Sequence, residues 1–316
     1  MKRAALIAFV LAGSLLPCLA ADTVRGIMVR PAQIYLQPAS DSPKVGQIDR
    51  GREVAILEVP GTGWVHVLAT LSQNQNTGEE KDVSGWLLDK GVVRKDTPNG
   101  DRIVFGEAAS SESEASRRGG RKGADADAFR LYYRCAEYFP ESPLAGEALY
   151  RAADIRWQID KYDVMSRPSA RKEDPNLRIY GINDELMKEV KKKFPRTKWA
   201  DLADFHMIDN KLCGDWQAQA KCPEKEAEIY EKYADEHPQS PALAEALYDA
   251  AYRRAALISI YPNEGKANKV AEAKSRTESL CQRAISTAPQ TDWAARAQAL
   301  LYEVQQGIPT FGTQIQ

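Results

Sequence analysis

Reactive side chains are sparse in this chain of 316 residues, which has five cysteines and three histidines. A cysteine nucleophile needs a histidine base within hydrogen-bond reach, and a zinc site needs closely spaced Cys and His ligands. His66, His206 and His237 are scattered, and no Cys-x-x-Cys pair occurs. The sequence has no Gly-x-Ser-x-Gly turn, phosphate-binding loop or dinucleotide fingerprint. The carboxylate pairs Glu79-Glu80 and Asp184-Glu185 lie in charged stretches where solvation is expected. The residues therefore form no catalytic constellation, and no enzyme activity, metal or cofactor is expected.

Covalent chemistry is expected at one place, a disulfide between Cys213 and Cys222, which bracket "GDWQAQAK" and can close a short loop. Cys135 and Cys281 are expected to be buried on different helices and to stay reduced. The compartment permits a bridge. Lys2 and Arg3 precede an apolar run at 4–16, and small residues follow at Cys18 and Ala20. This reads as a secretory signal peptide over 1–20, too short to span a bilayer, with cleavage before Ala21. Lipidation at Cys18 is the open alternative. No later run approaches a membrane span. A net charge of −1 gives no footprint for nucleic acid.

Two sets of side chains suit recognition rather than reaction. Tyr35, Trp64 and Trp86 are candidates to line a ligand groove, as aromatics do in peptide-binding domains. Arg134, Arg151, Arg253 and Arg254 are candidates to meet a partner's carboxylates.

The elements that must position them fall into two regions. Over 21–95, "EVAILEV", "GWVHVLATL" and "VSGWLL" are short β-rich runs separated by turn residues. Alternation in "WVHVL" puts Trp64, His66 and Leu68 on one face and Val65 and Val67 on the other. The order "IYLQP", "VGQIDRGREVAIL", Gly63-Trp64 and Gly85-Trp86 resembles a bacterial SH3-like domain. That resemblance implies a small closed β-barrel that binds peptides or cell-wall ligands. Residues 96–123, rich in Gly, Ser and charge, are expected to be a flexible linker.

From 124 to 306 the grammar is helical, and it repeats. "FPESPLAGEALYRAA" at 139–153 returns as "HPQSPALAEALYDAA" at 237–251, with weaker copies at 194–205 and 288–300. Each copy has a proline (Pro140, Pro195, Pro238, Pro289) that stops one helix and a Ser or Thr two residues on, placed to cap the next. Small and aromatic residues precede the proline, as Ala128, Tyr132 and Cys135 precede Pro140. This region resembles periplasmic tetratricopeptide-like proteins, including outer-membrane-assembly lipoproteins and Tol–Pal coordinators. The intervals between prolines are 55, 43 and 51, against about 34 for that repeat. Insertions at 163–181, 213–223 and 259–269 account for the excess. Residues 307–316 form a tail.

The expected fold is therefore β + α multidomain: an SH3-like barrel, a linker and an α-solenoid of tetratricopeptide-like hairpins. The implied function is an exported, non-enzymatic scaffold or adaptor of the periplasm or outer membrane. It would bind envelope proteins through the helices and peptide or peptidoglycan through the barrel. The alternative is a targeting or regulatory subunit of a cell-wall hydrolase whose catalytic domain is on another chain.

Overall fold

The computed structural model describes residues 24–72, 80–166, 182–213 and 216–311. The expected signal peptide with Cys18, and the 163–181 insertion from residue 167 on, lie outside them. The first region is one antiparallel sheet of seven strands: β1 Arg25–Met28, β2 Ala32–Tyr35, β3 Lys44–Ile48, β4 Glu53–Glu58, β5 Trp64–Ser72, β6 Glu80–Leu88 and β7 Val92–Arg94. Its spatial order is β3-β2-β6-β5-β4-β1-β7. Strict alternation of side chains builds the inner face. Val65, Val67 and Ala69 of β5 are buried with Ile34, Ile48, Val54 and Leu87. The sheet curls enough that a Cβ on Gly46 of β3 would meet Leu71 Cδ1 of β5 at 2.2 Å.

Curling stops short of closure. β3 and β7 remain unpaired edges of an open sheet, so the expected SH3-like barrel is not what forms. Closure depends on strand tilt and stagger across the whole sheet, which short strand patterns do not encode. Instead, the β1–β7 end is covered by helices. Ile27, Val29 and Val93 share one core with Val104, Ala108, Leu131 and Tyr132.

Two of those residues correct the expected linker. Segment 96–123 contains helix α1, Gly100–Ser116, which packs on α2, Ala124–Tyr138. Only Gly100, Val104, Ala108 and Ser111 of α1 are buried, a seam at three- and four-residue spacing. So narrow a seam leaves the composition polar while still holding a helix. The two regions are thus joined by a common core rather than separated by a mobile connection.

The remaining helices are α3 Ala145–Ser166, α4 Glu185–Lys193, α5 Lys198–His206, α6 Lys221–Glu236, α7 Leu243–Asn263, α8 Val270–Thr287 and α9 Asp292–Gln306. They pack as successive hairpins, α1 on α2, α2 on α3, α3 on α4, α4 on α5, α6 on α7, α7 on α8 and α8 on α9. Rings of Phe205, Tyr230 and Tyr233 join α5 to α6. The proline motifs sit between helices. Thr197 and Thr291 cap α5 and α9 by accepting from the N–H of Ala200 and Ala294 at 3.3 Å. Ser142 and Ser240 act earlier, each accepting from the N–H two residues on, ahead of α3 and α7. Ala128, Tyr132, Cys135, Cys281 and Ala284 are fully buried at the hairpin seams.

Candidate functional site

The outward face of the sheet carries the aromatic candidates. Register sets Tyr35 beside Trp86, Trp86 beside His66, and Trp64 beside Leu88. Trp64 starts β5 directly after Gly61 and Gly63, whose φ of 76° and 80° turn the chain tightly. The Tyr35 and Trp64 rings meet edge to face with centroids 5.5 Å apart. The His66 and Trp86 rings stack at 4.8 Å, and His66 Nε2 shares a 3.0 Å hydrogen bond with Ser84 Oγ. All four rings are half-buried. Leu68 and Leu88, on the same face, are 42 % and 43 % exposed. The three predicted residues therefore come together, and the structure adds His66, Leu68 and Leu88. The alternation of "WVHVL" had marked His66 and Leu68 for this face. Leu88 carried the same signal, two residues after Trp86.

The four arginines behave differently, because each is engaged inside the protein. Arg134 pairs with Glu137 and lies 3.6 Å from Glu53. Arg151 joins α3 to α1 and α2 through Glu112 (2.9 Å) and the Tyr132 hydroxyl (2.9 Å). Arg253 reaches Glu226 at 2.9 Å and Asp249 at 3.1 Å, and stacks over Tyr230. Arg254 meets Glu231 at 2.8 Å. Arg151, Arg253 and Arg254 tie helices together, whereas Arg134 pairs within α2 and reaches toward β4, so all four residues expected to face a partner already have carboxylates within the chain. A surface arginine and a cross-helix arginine look alike in one dimension.

The Arg254–Glu231 tie lines a cleft between α6, α7 and α8, a space of about 440 Å³ whose lining also includes Glu224, Lys269 and Arg276. Burial acts to raise the Glu231 carboxyl, but hydrogen bonds from Arg276 and Arg254 hold it below the usual value. The other two histidines are also structural. His206 accepts or donates at 3.0 Å to the Tyr150 hydroxyl, and burial pulls its pKa down against Asp154. His237 Nδ1 lies 2.8 Å from Asp201. Among the described residues, no group of three or more His, Cys, Asp or Glu is arranged to hold a metal.

Cys213 and Cys222 are joined as a disulfide with Cα atoms 5.9 Å apart. Cys135 and Cys281 are free and buried, and burial pushes both thiols up to about 12. No helix among the described residues is long and apolar enough to cross a membrane.

No known protein-family model matches this sequence, and no curated protein matches it. The resemblance to Tol–Pal coordinators and outer-membrane-assembly proteins therefore finds no relative to support it, and the open sheet removes the SH3-like half.

Proposed function

We propose that this chain is an exported, non-enzymatic adaptor of the cell envelope. The outward face of the sheet captures a peptide or cell-wall ligand, and the helical array holds a protein partner. The carrying observation is the gathering of Tyr35, Trp64, His66 and Trp86 beside the uncovered Leu68 and Leu88. Contiguous apolar surface of this kind favours a ligand over solvent, and aromatic rings offer it a large contact area with polar handles. The disulfide supports an oxidising compartment. Hairpin stacking of helices supports the protein-binding half.

The test is co-sedimentation of the full chain with purified peptidoglycan, and with a peptide library, before and after Trp64→Ala/Trp86→Ala. Loss of two aromatic contacts is expected to weaken capture at least about tenfold. A double variant that binds as the parent does would remove the sheet face as the site.

A further inference from the structure

The disulfide loop touches the other end of the helical region. Trp216, inside the loop, packs against Phe311 with ring centroids 5.3 Å apart. It also lies 6.1 Å from the Tyr252 ring, with the Arg253 guanidinium 5.9 Å away. Together Trp216 and Phe311 cover an apolar cluster of Ala220, Ala256, Leu257, Ile260, Tyr261 and Ala273.

The loop is anchored at both ends. The Cys213 N–H donates to Glu226 Oε1 at 2.9 Å, and Glu226 is itself buried and paired with Arg253. Cys222 belongs to the first turn of α6, and the Ala220 N–H just before it donates to Glu264 at 2.7 Å. The disulfide ties these anchors together, and Trp216 lies between its two cysteines in the chain.

The tail is held much less firmly. Gly307, at φ 70°, ends α9, and the Ile308 N–H donates back to Glu303 at 2.9 Å. Beyond Ile308, no backbone hydrogen bond among the described residues secures the chain as far as Phe311. Thr310 Oγ1 is buried without a partner among the described residues, which costs stability in that seat. The Phe311 ring contact is what remains.

We propose that the Cys213–Cys222 bridge and the Trp216–Phe311 contact form a thiol-controlled clasp. With the bridge closed, Trp216 pins Phe311 over the apolar end of α7 and α8. Both cysteines are partly exposed, so a dithiol reductant can reach them. It transfers two electrons and two protons. The S–S bond breaks, Cys213 and Cys222 become thiols, and the reductant leaves as its own disulfide. The Trp216–Phe311 contact then opens and Phe311 is released. Cys135 and Cys281, buried with raised thiol pKa values, do not take part.

The experiment uses the full chain and a serine carboxypeptidase, with removal of Phe311 followed by intact mass. Cleavage that depends on a locally opened state tracks the population of that state. In Cys213→Ser/Cys222→Ser, and in the reduced parent, Phe311 is expected to be lost at least about tenfold faster than in the oxidised parent. Trp216→Ala, with the bridge intact, is expected to show the same acceleration. Equal rates in oxidised and reduced protein would overturn the clasp. Should the double serine variant lose its helical circular dichroism, Trp216→Ala decides, and a protected Phe311 there also overturns it.

Discussion

On the outward face of the sheet, Leu57, Leu68 and Leu88 stand between 42 % and 51 % exposed, whereas at the α6–α7–α8 interface Glu226 and Glu231 are almost wholly covered. Arg253, Arg254 and Arg276 meet those two carboxylates from neighbouring helices. The sheet leaves apolar surface unspent, whereas at this interface buried carboxylates of one helix are met by arginines of its neighbours. For function, the lesson is that the sheet face offers exposed apolar surface beside its aromatic rings. For stability, it is that helix charges that resemble a solvated face act as internal ties.

The largest expected effect tests the ties. Arg253→Ala leaves Glu226, only 2 % exposed, without its guanidinium. Breaking one side of a buried pair costs about 3–5 kcal/mol, because the remaining charge is uncompensated. Urea unfolding of parent and variant measures it. A loss below about 1 kcal/mol would mean that these ties behave like exposed pairs, and the contrast with the sheet would collapse.

A smaller effect is expected at the joint between the two regions. Gly51, before β4, has φ 75°, and its N–H donates to Met28 O at 2.7 Å. An added Cβ would meet Arg130 Cβ of α2 at 2.6 Å, and Arg130 Nε donates to Arg50 O at 3.1 Å. Gly51→Ala combines a strained left-handed backbone with a clash, for a cost of about 2 kcal/mol. If the sheet and helices unfold together through this joint, near- and far-UV transitions coincide in the parent and separate in the variant. An unchanged variant would show that the regions are tied elsewhere.

What could be read in one dimension was local. The alternation of "WVHVL" sorts Trp64, His66 and Leu68 from Val65 and Val67, and the threonines after Pro195 and Pro289 do cap helices. That Tyr35 and Trp86 join the same face depends on the β2–β6–β5 pairing, which no strand announces by itself. Barrel closure failed as an expectation for the same reason. Helix α1 was hidden by composition, since four buried positions in seventeen residues leave a polar sequence. The internal partners of three of the arginines were not legible, because Glu112, Glu226 and Glu231 lie 39, 27 and 23 positions from Arg151, Arg253 and Arg254.

Glu245 differs from Glu226 and Glu231 in meeting no arginine among the described residues, and its removal is the smallest expected effect. Glu245, in the first turn of α7, is half-buried and has no hydrogen-bond or ion-pair partner among the described residues. Asp249 follows one turn later, and Asp292 faces it from α9, where Arg296 is already 3.5 Å from that aspartate. Burial first, then Asp249, Asp292 and Asp209, push the Glu245 carboxyl from 4.5 up to about 7, with Arg296 opposing. The fold therefore prefers the protonated form. Below pH 4.5 both folded and unfolded chains hold the proton and nothing is lost. As pH rises to about 7 the unfolded chain ionises more readily, and the penalty on the fold reaches its full size above that value. Glu245→Gln removes the charge, so it should stabilise by about 1 kcal/mol at pH 8, after allowance for solvent screening of a half-exposed group. At pH 4 the two proteins should unfold at the same urea concentration. A variant less stable than the parent at pH 8 would reveal an attractive partner for Glu245, leaving the helical region without an uncompensated charge at this site.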